Sequence, residues 1–332
     1  MSQIRISRRN FFHNISQIAA KTQSVEKIAL VLKDNAYGHG LNVMARLAHE
    51  AGIRHAVVRR FSEAETIGSL FETVLVLSDI PDRRPARNVR VALNGLDAVR
   101  RVPAGTAVEL KIDTGMHRNG IDPGRFAQAV ETIDAAGLEL AGIMTHYRSA
   151  DEMGSDFFWQ RRRFDLLKEE AMRLGIKGVR WHSCNSAALF RSGTFDEDIA
   201  RIGIAAYGCL TMPEPFRVPK LKPVMSLWAE RIATRRLGAG SRIGYGGEGE
   251  LEKESLLSSY DIGYGDGWPR RAYTLPDGRP VIGRVSMDMF SIEGEEDTVC
   301  VFDDAAKAAE ALGTISYEIM TQLSPSIERV VV

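Results

Sequence analysis

Apolar positions along the chain change period repeatedly. Ile28 to Leu32 is a short apolar run without a helical period, as in a strand buried on both faces, and Ala56-Val57-Val58, Val74 to Leu77, Val89 to Leu93 and Ala107 to Ile112 also read as strands. Between them the spacing turns helical, with Phe11, Ile15, Ile18 and Ala19 before the first run and Leu41, Met44, Ala45, Leu47 and Ala48 after it. Gly52 then reads as a C-terminal cap, and Ser62-Glu63-Ala64-Glu65 has the capping-box spacing that opens another helix. A strand at Ile4-Arg5-Ile6 comes before all of these. The alternation continues with a helix around Leu96 to Val102, a helix opened by Asp122-Pro123 and closed by Gly137, and strand Leu140 to Met144. A long helix from Asp156 to Leu174 and strands Gly178 to Trp181 and Ile199 to Ala206 complete the series. After Ile4-Arg5-Ile6, eight strands with interleaved helices predict a (β/α)8 barrel over residues 1–222. An open, doubly wound sheet is the alternative, because strand order is invisible in the pattern.

Past Pro223 the helical spacing fades. Short β-like runs alternate with glycine clusters, as in Ser226 to Arg231, Gly244-Tyr245-Gly246-Gly247 and Gly263-Tyr264-Gly265-Asp266-Gly267, which predicts a separate, mainly β domain over 223–332. Residues 244–249 satisfy G-x-G-x-x-G, yet no βαβ unit surrounds them, so they read as a turn and not a dinucleotide site.

Bulk properties narrow the function. At 332 residues, 44% hydrophobic and 26% charged, the chain has ample material for two packed domains. Its 43 basic and 43 acidic residues give no electrostatic case for nucleic acid or a membrane surface. Cys184, Cys209 and Cys300 are odd in number and widely spaced, which argues against a disulfide framework or a metal site. Residues 1–14 lack a continuous apolar segment, so neither a signal peptide nor a membrane span is expected and the location expected is cytoplasmic.

The polar residues gather where a barrel would use them. Lys33 ends one predicted strand, Lys111 to Arg118 follow another, and Thr145-His146, His182 to Ser186 and Arg201 to Ile204 end or accompany three more. Active sites of that fold lie at the carboxyl ends of the strands. Lys33 stands out, since a lysine on a rigid strand end among apolar neighbours could form a Schiff base with a carbonyl. Gly38 and Gly40 behind it let the chain turn tightly or approach a ligand.

The stretch Lys33-Asp34-Asn35-Ala36-Tyr37-Gly38-His39-Gly40 resembles the cofactor-lysine motif of the alanine racemases, with Asp34 where alanine is common. Strand alternation would turn that aspartate away from Lys33. Lys111-Ile112-Asp113-Thr114-Gly115-Met116-His117-Arg118-Asn119-Gly120, Arg201-Ile-Gly-Ile-Ala-Ala-Tyr-Gly, Gly-Tyr245-Gly-Gly and Ser286-Met287-Asp288 are similar to further segments of the family, in register along nearly the whole chain. The likeness is weakest from Phe71 to Thr106, and Ser286 stands where cysteine is common.

The resemblance implies pyridoxal 5'-phosphate as cofactor, linked to Lys33. Tyr37, Ser186, Gly203, Ile204 and Tyr317 would contact its phosphate, Arg201 would face the pyridine nitrogen, and His146 would lie beside the ring. Arg118 and Met287 would meet the substrate carboxylate. In several family members the residue matching Lys111 is carbamylated and braces that arginine. Racemisation needs a base on each face of the α carbon. Lys33 would be one and Tyr245, from a partner subunit of a homodimer, the other. A phenol ionises near pH ~10 in isolation, so such a base needs positive neighbours. Tyr264, Arg270, Arg284 and Ile315 match a substrate corridor.

The activity implied is interconversion of L- and D-alanine, supplying peptidoglycan synthesis. A racemase of broader specificity would share every catalytic residue. A related barrel decarboxylase would need a different carboxyl-terminal set, and a non-catalytic pyridoxal-phosphate-binding protein would lack the β domain and Tyr245.

Overall fold

Strand order decides between barrel and open sheet. The computed structural model describes residues 1–332. Counting the strand Gln3–Ile6 as β1, eight parallel strands follow: β2 (Ile28–Val31), β3 (His55–Val58), β4 (Thr73–Val76), β5 (Val89–Leu93), β6 (Ala107–Lys111), β7 (Glu139–Met144), β8 (Arg180–His182) and β9 (Ala200–Ile202). They lie in the order β8-β7-β6-β5-β4-β3-β2-β9, so the last strand returns beside the first of the eight. The Arg201 N–H donates to Cys184 C=O at 2.9 Å and the Asp198 N–H to Trp181 C=O at 3.2 Å, which brings β9 against β8 and all but closes the barrel. A doubly wound sheet reverses its strand order at a switch point and leaves two edges far apart. Here the order runs on around a ring, and the two end strands β8 and β9 lie against each other.

The last barrel strand is shorter than the apolar run Ile199 to Ala206 suggests. From Gly203 the chain turns, with Ala206 N–H donating to Gly203 C=O and Gly208 N–H to Ala205 C=O. The helix expected to Val102 ends at Val99.

The second domain is built on β10 (Met225–Leu237), with β11 (Arg242–Ile243), β12 (Gly249–Glu250), β13 (Ser255–Tyr260), β14 (Phe290–Glu293), β15 (Thr298–Phe302) and β16 (Glu328–Val331). Its main sheet runs β14-β13-β10-β1-β16, with β15 also on β10. This corrects the expected span 1–222 for the barrel, because β1 lies in the second sheet, antiparallel to β10 and parallel to β16. The alternation of Gln3–Ile6 is that of a strand with one covered face, and Ile4 and Ile6 are fully buried. One continuous core joins the parts, running from Leu30 and Ala188 in the barrel to Trp268, Met320 and Ile327 in the second domain.

After β2 the chain leaves the strand by an unusual route. Asp34, Asn35, Ala36 and Tyr37 all have positive φ, at 54°, 55°, 53° and 52°, forming one left-handed helical turn. Such a turn costs an L-residue roughly 1–2 kcal/mol per position, less for Asp and Asn, whose short polar side chains bond locally. Asn35 does so: its Oδ1 accepts from Leu41 N–H at 2.8 Å and starts the helix Leu41–Glu50. Gly38 follows at φ 79°, where a Cβ would strike the carbonyl of Met320. No other residue type fits that approach.

Candidate active site

The carboxyl ends of the barrel strands open into a cavity of about 1070 Å³. Lys33, Tyr37, Lys111, Arg118, His146, Ser186, Arg201, Gly203 and Ile204 line it from the barrel, and Ile315 and Tyr317 from the second domain. Eleven of the residues singled out in the sequence therefore meet in one place. Tyr245, Tyr264, Arg270, Arg284 and Met287 do not. All five are exposed on the second domain, Tyr245 at 64% and Met287 at 55%.

Lys33 is half-buried at the start of the left-handed turn, and that turn overturns the expectation for Asp34. Once the strand has ended at Val31, alternation no longer applies, and the Asp34 carboxylate lies 3.9 Å from Lys33 Nζ and 3.3 Å from Arg59 Nη1. Glu63 ties the same corner together, accepting from the N–H groups of Asp34 (3.0 Å), Arg59 (2.8 Å) and Arg60 (2.9 Å).

Opposite stand the turn after β9 and the helix Ser186–Arg191. The N–H groups of Gly203 and Ala205 each donate to Ser186 Oγ at 3.2 Å. A Cβ on Gly203 would lie 2.5 Å from Tyr37 Oη, so glycine here is what leaves room for the phenol. The Tyr317 ring sits 5.6 Å from that of Tyr37, and Tyr207 flanks it at 5.1 Å. Burial holds the Tyr37 hydroxyl protonated, with its pKa raised far above that of a free phenol, so it is a hydrogen-bond donor. Hydroxyl and backbone donors in a glycine-lined pocket suit a phosphate.

Arg201 is buried and bonded to neutral groups. Nη1 donates to His182 Nδ1 at 2.6 Å and to His182 C=O at 3.0 Å. Nη2 donates to Thr145 C=O at 2.6 Å, with Ser183 C=O at 3.3 Å and His146 Nδ1 at 3.5 Å. Burial first, and then Arg201 and Lys111, push His146 down to about 3, so its ring is neutral. Lys111 is also buried. Desolvation and the nearby charges of Arg118 and Arg201 lower it to about 8, and its Nζ donates to Asn119 Oδ1.

Several residues that build this site belong to no sequence motif. Glu197 accepts from Ser183 N–H (2.6 Å), Cys184 N–H (3.1 Å) and the Ser183 hydroxyl, which fixes the loop between β8 and Ser186. Glu109 lies inside the barrel beside His182. Strand parity could have found it, since Glu109 and Lys111 are two apart on β6 and must share a face.

Barrel, mouth cavity and half-buried lysine together define an enzyme of the barrel class with its chemistry at the strand ends. The family description "Alanine racemase, N-terminal domain" matches residues 6–211, and "Alanine racemase, C-terminal domain" matches 224–331. The chain belongs to the alanine racemase family, and it is an isomerase. It is 42% identical over 333 residues to the alanine racemase of a Nitratiruptor species, and 42% over 337 residues to that of Campylobacter curvus, with 99% of each chain covered in both cases. Among solved structures, alanine racemase from Bacillus anthracis with bound L-Ala-P superposes with a TM-score of 0.89 at 27% identity, covering all of this chain and 95% of that one. Histidine racemase from Leuconostoc mesenteroides subsp. sake gives 0.87 at 25%, covering all of this chain and 98% of that one.

Proposed function

We propose that this chain racemises alanine with pyridoxal 5'-phosphate held in the barrel-mouth cavity. The observation that carries the reading is the convergence of Lys33, Arg201 and the Tyr37–Ser186–Gly203 pocket on one cavity. The residues fit the group: a primary amine for its aldehyde, a guanidinium for its ring nitrogen, and a glycine-lined set of donors for its phosphate. When bound, the cofactor supplies a conjugated ring that withdraws electrons from the substrate's α carbon and acidifies its proton.

The chain's own residues do the rest. Tyr37, Ser186, Tyr317 and the backbone at Gly203 and Ile204 hold the phosphate and so fix the ring's position. Arg201, which has only donors, would face the ring nitrogen and favour its unprotonated form, limiting how much charge the ring could take up. His146 would lie beside the ring as a neutral group. Arg118 and the Met287 backbone orient the substrate carboxylate. Lys33 Nζ takes or returns a proton on one face, and the Tyr245 hydroxyl of a second copy serves the other. Tyr264, Arg270, Arg284 and Ile315 form the corridor for a small amino acid.

Lys111 fits the carbamate role. An amine lowered to about 8 is partly neutral and nucleophilic near that pH, and the anion formed would face Arg118 and Arg201. Labelling with 13C-bicarbonate should give one carbamate carbon signal that Lys111→Met lacks. A homodimer, a cytoplasmic location and supply of D-alanine to peptidoglycan complete the proposal. No helix is long and apolar enough to cross a membrane.

Chiral analysis of a panel of L-amino acids incubated with the cofactor-loaded protein tests the reading. Alanine should reach a racemic mixture, and an L-alanine sample left unchanged would sink the proposal. The histidine racemase likeness favours including bulkier side chains. Racemisation of several of them at comparable rates would replace alanine specificity with breadth.

A further inference from the structure

The interior of a barrel of this kind is filled mainly with branched apolar side chains. Here one level of it is charged. Glu109 on β6 is completely buried, with Arg180 Nη2 at 2.5 Å, Arg90 Nη1 at 3.1 Å and His182 Nε2 at 2.8 Å from its oxygens. The sequence makes room for the group: Gly142 on β7 pairs with both Glu109 and Arg180, and a Cβ there would lie 3.0 Å from each side chain. Thr73 on β4 accepts from Arg180 at 3.0 Å.

The cluster connects upward to the cavity through a single ring. Arg201 has no acceptor, so its 2.6 Å contact with His182 Nδ1 requires a lone pair on that nitrogen. The proton of the ring must then sit on Nε2, which is where Glu109 accepts it. Burial keeps His182 neutral, at about 4, against the pull of Glu109. For Glu109, burial works against ionisation, but Arg180, His182 and Arg90 hold its pKa well below the carboxylate range.

We propose that Glu109 is a positioning residue for Arg201: its carboxylate holds the His182 ring with the proton on Nε2, so that Nδ1 stays open to accept from the guanidinium. Arg201 is thus aimed from below, through a neutral ring, by a carboxylate that never touches the cofactor. The effect on the cofactor rests on the reading of Arg201 as partner of the pyridine nitrogen. The arrangement of the ring does not.

The test uses the full chain labelled with 15N-histidine, with His182 assigned by its loss in His182→Gln. Long-range 1H–15N spectra should show His182 as a single neutral ring protonated at Nε2, with and without pyridoxal phosphate. In Glu109→Gln the amide can donate as well as accept, and the ring should become a mixture of tautomers. Pyridoxal phosphate affinity, followed by absorbance titration, should fall roughly tenfold, as for a lost hydrogen bond to a charged group. Because Glu109→Gln leaves two partly buried arginines facing an uncharged group, Arg90→Met/Glu109→Gln is made in parallel. It restores the net charge of the cluster and should give the same tautomer mixture and the same weakened binding. An Nδ1-protonated ring in the wild type overturns the inference. So does a charge-matched double variant that keeps one Nε2–H ring, or one that loses it with affinity unchanged. A wild-type protein that binds no pyridoxal phosphate would overturn the proposed function instead, and the ring would still report on Glu109.

Discussion

On the barrel, Lys33, Lys111, His146 and Arg201 turn inward on one cavity, whereas on the second domain Tyr245, Tyr264, Arg270, Arg284 and Met287 face outward. Both sets are held in place. In the second domain Tyr264 N–H donates to Ser286 C=O at 3.0 Å and Gly265 N–H to Met287 C=O at 2.8 Å, which binds two of the motif segments together. Arg284 pairs with Glu248, three residues beyond Tyr245. The difference is that strand geometry closes the first set upon itself, while the second lies on an ordered, exposed surface. The proposed function gives that surface a use, as the part of a second copy's site that the barrel does not supply.

The sharpest attack on that contrast mixes two variants. Lys33→Ala and Tyr245→Phe should each lose at least ~10³-fold in racemisation, as when a proton-transfer group is removed. If the outward set completes a neighbour's cavity, subunit exchange should restore about a quarter of wild-type activity, because half the dimers are mixed and half of their sites keep both groups. No recovery, with exchange verified by mass, would place Tyr245 outside a shared site.

Gly203→Ala probes the inward set alone. The new Cβ would lie 2.5 Å from Tyr37 Oη and push the phenol aside, so pyridoxal phosphate affinity should fall roughly tenfold. Unaltered binding in an absorbance titration would show that this pocket does not hold the phosphate.

Acid should destabilise the fold through its buried histidines. His39 and His182 are fully buried, and burial pulls each to about 4. Their unfolded value is near ~6.5. Between those values the unfolded chain binds more protons than the folded one, so stability falls as pH drops from 6.5 to 4, by on the order of 3 kcal/mol for each ring. Urea midpoints measured over that interval should decline steadily, and a level profile would mean that these rings protonate in place.

Asp34→Ala is the mildest change. Alanine at φ 54° loses the tolerance of aspartate for a left-handed turn, a cost of about 1 kcal/mol, together with the contact to Arg59. Thermal unfolding should shift by a few degrees, and kcat/KM should stay within severalfold; a loss as large as that of Lys33→Ala would make Asp34 part of the chemistry.

What the pattern of residues reveals depends on how local the cause is. Lys33, Lys111 and Arg201 could be placed at the barrel mouth from the pattern because each falls at or near the carboxyl end of a predicted strand, while the roles expected of Lys111 and Arg201 came from the resemblance. The place of β1 was not legible, since its partners Leu227 and Arg329 are distant in the chain and hydrophobicity does not name them. The left-handed turn escaped for another reason: a period describes side chains, not the sign of φ, although Asp34-Asn35 is the dipeptide best suited to it. Glu109 belongs to no motif and draws no notice by type; only its parity with Lys111 on the same strand places it on the inner face of the barrel.

Synthesis runs in one direction, and the pairing of β1 does not. Gln3–Ile6 is made early, yet the strands on either side of it, Met225–Leu237 and Glu328–Val331, follow only after the whole barrel. The barrel strands can associate as they are made, while β1 must stay unpaired until Met225–Leu237 has followed the barrel. The second domain therefore cannot mature by itself: its central seam is closed by the segment with the longest wait, and the loop that closes it spans the entire catalytic barrel.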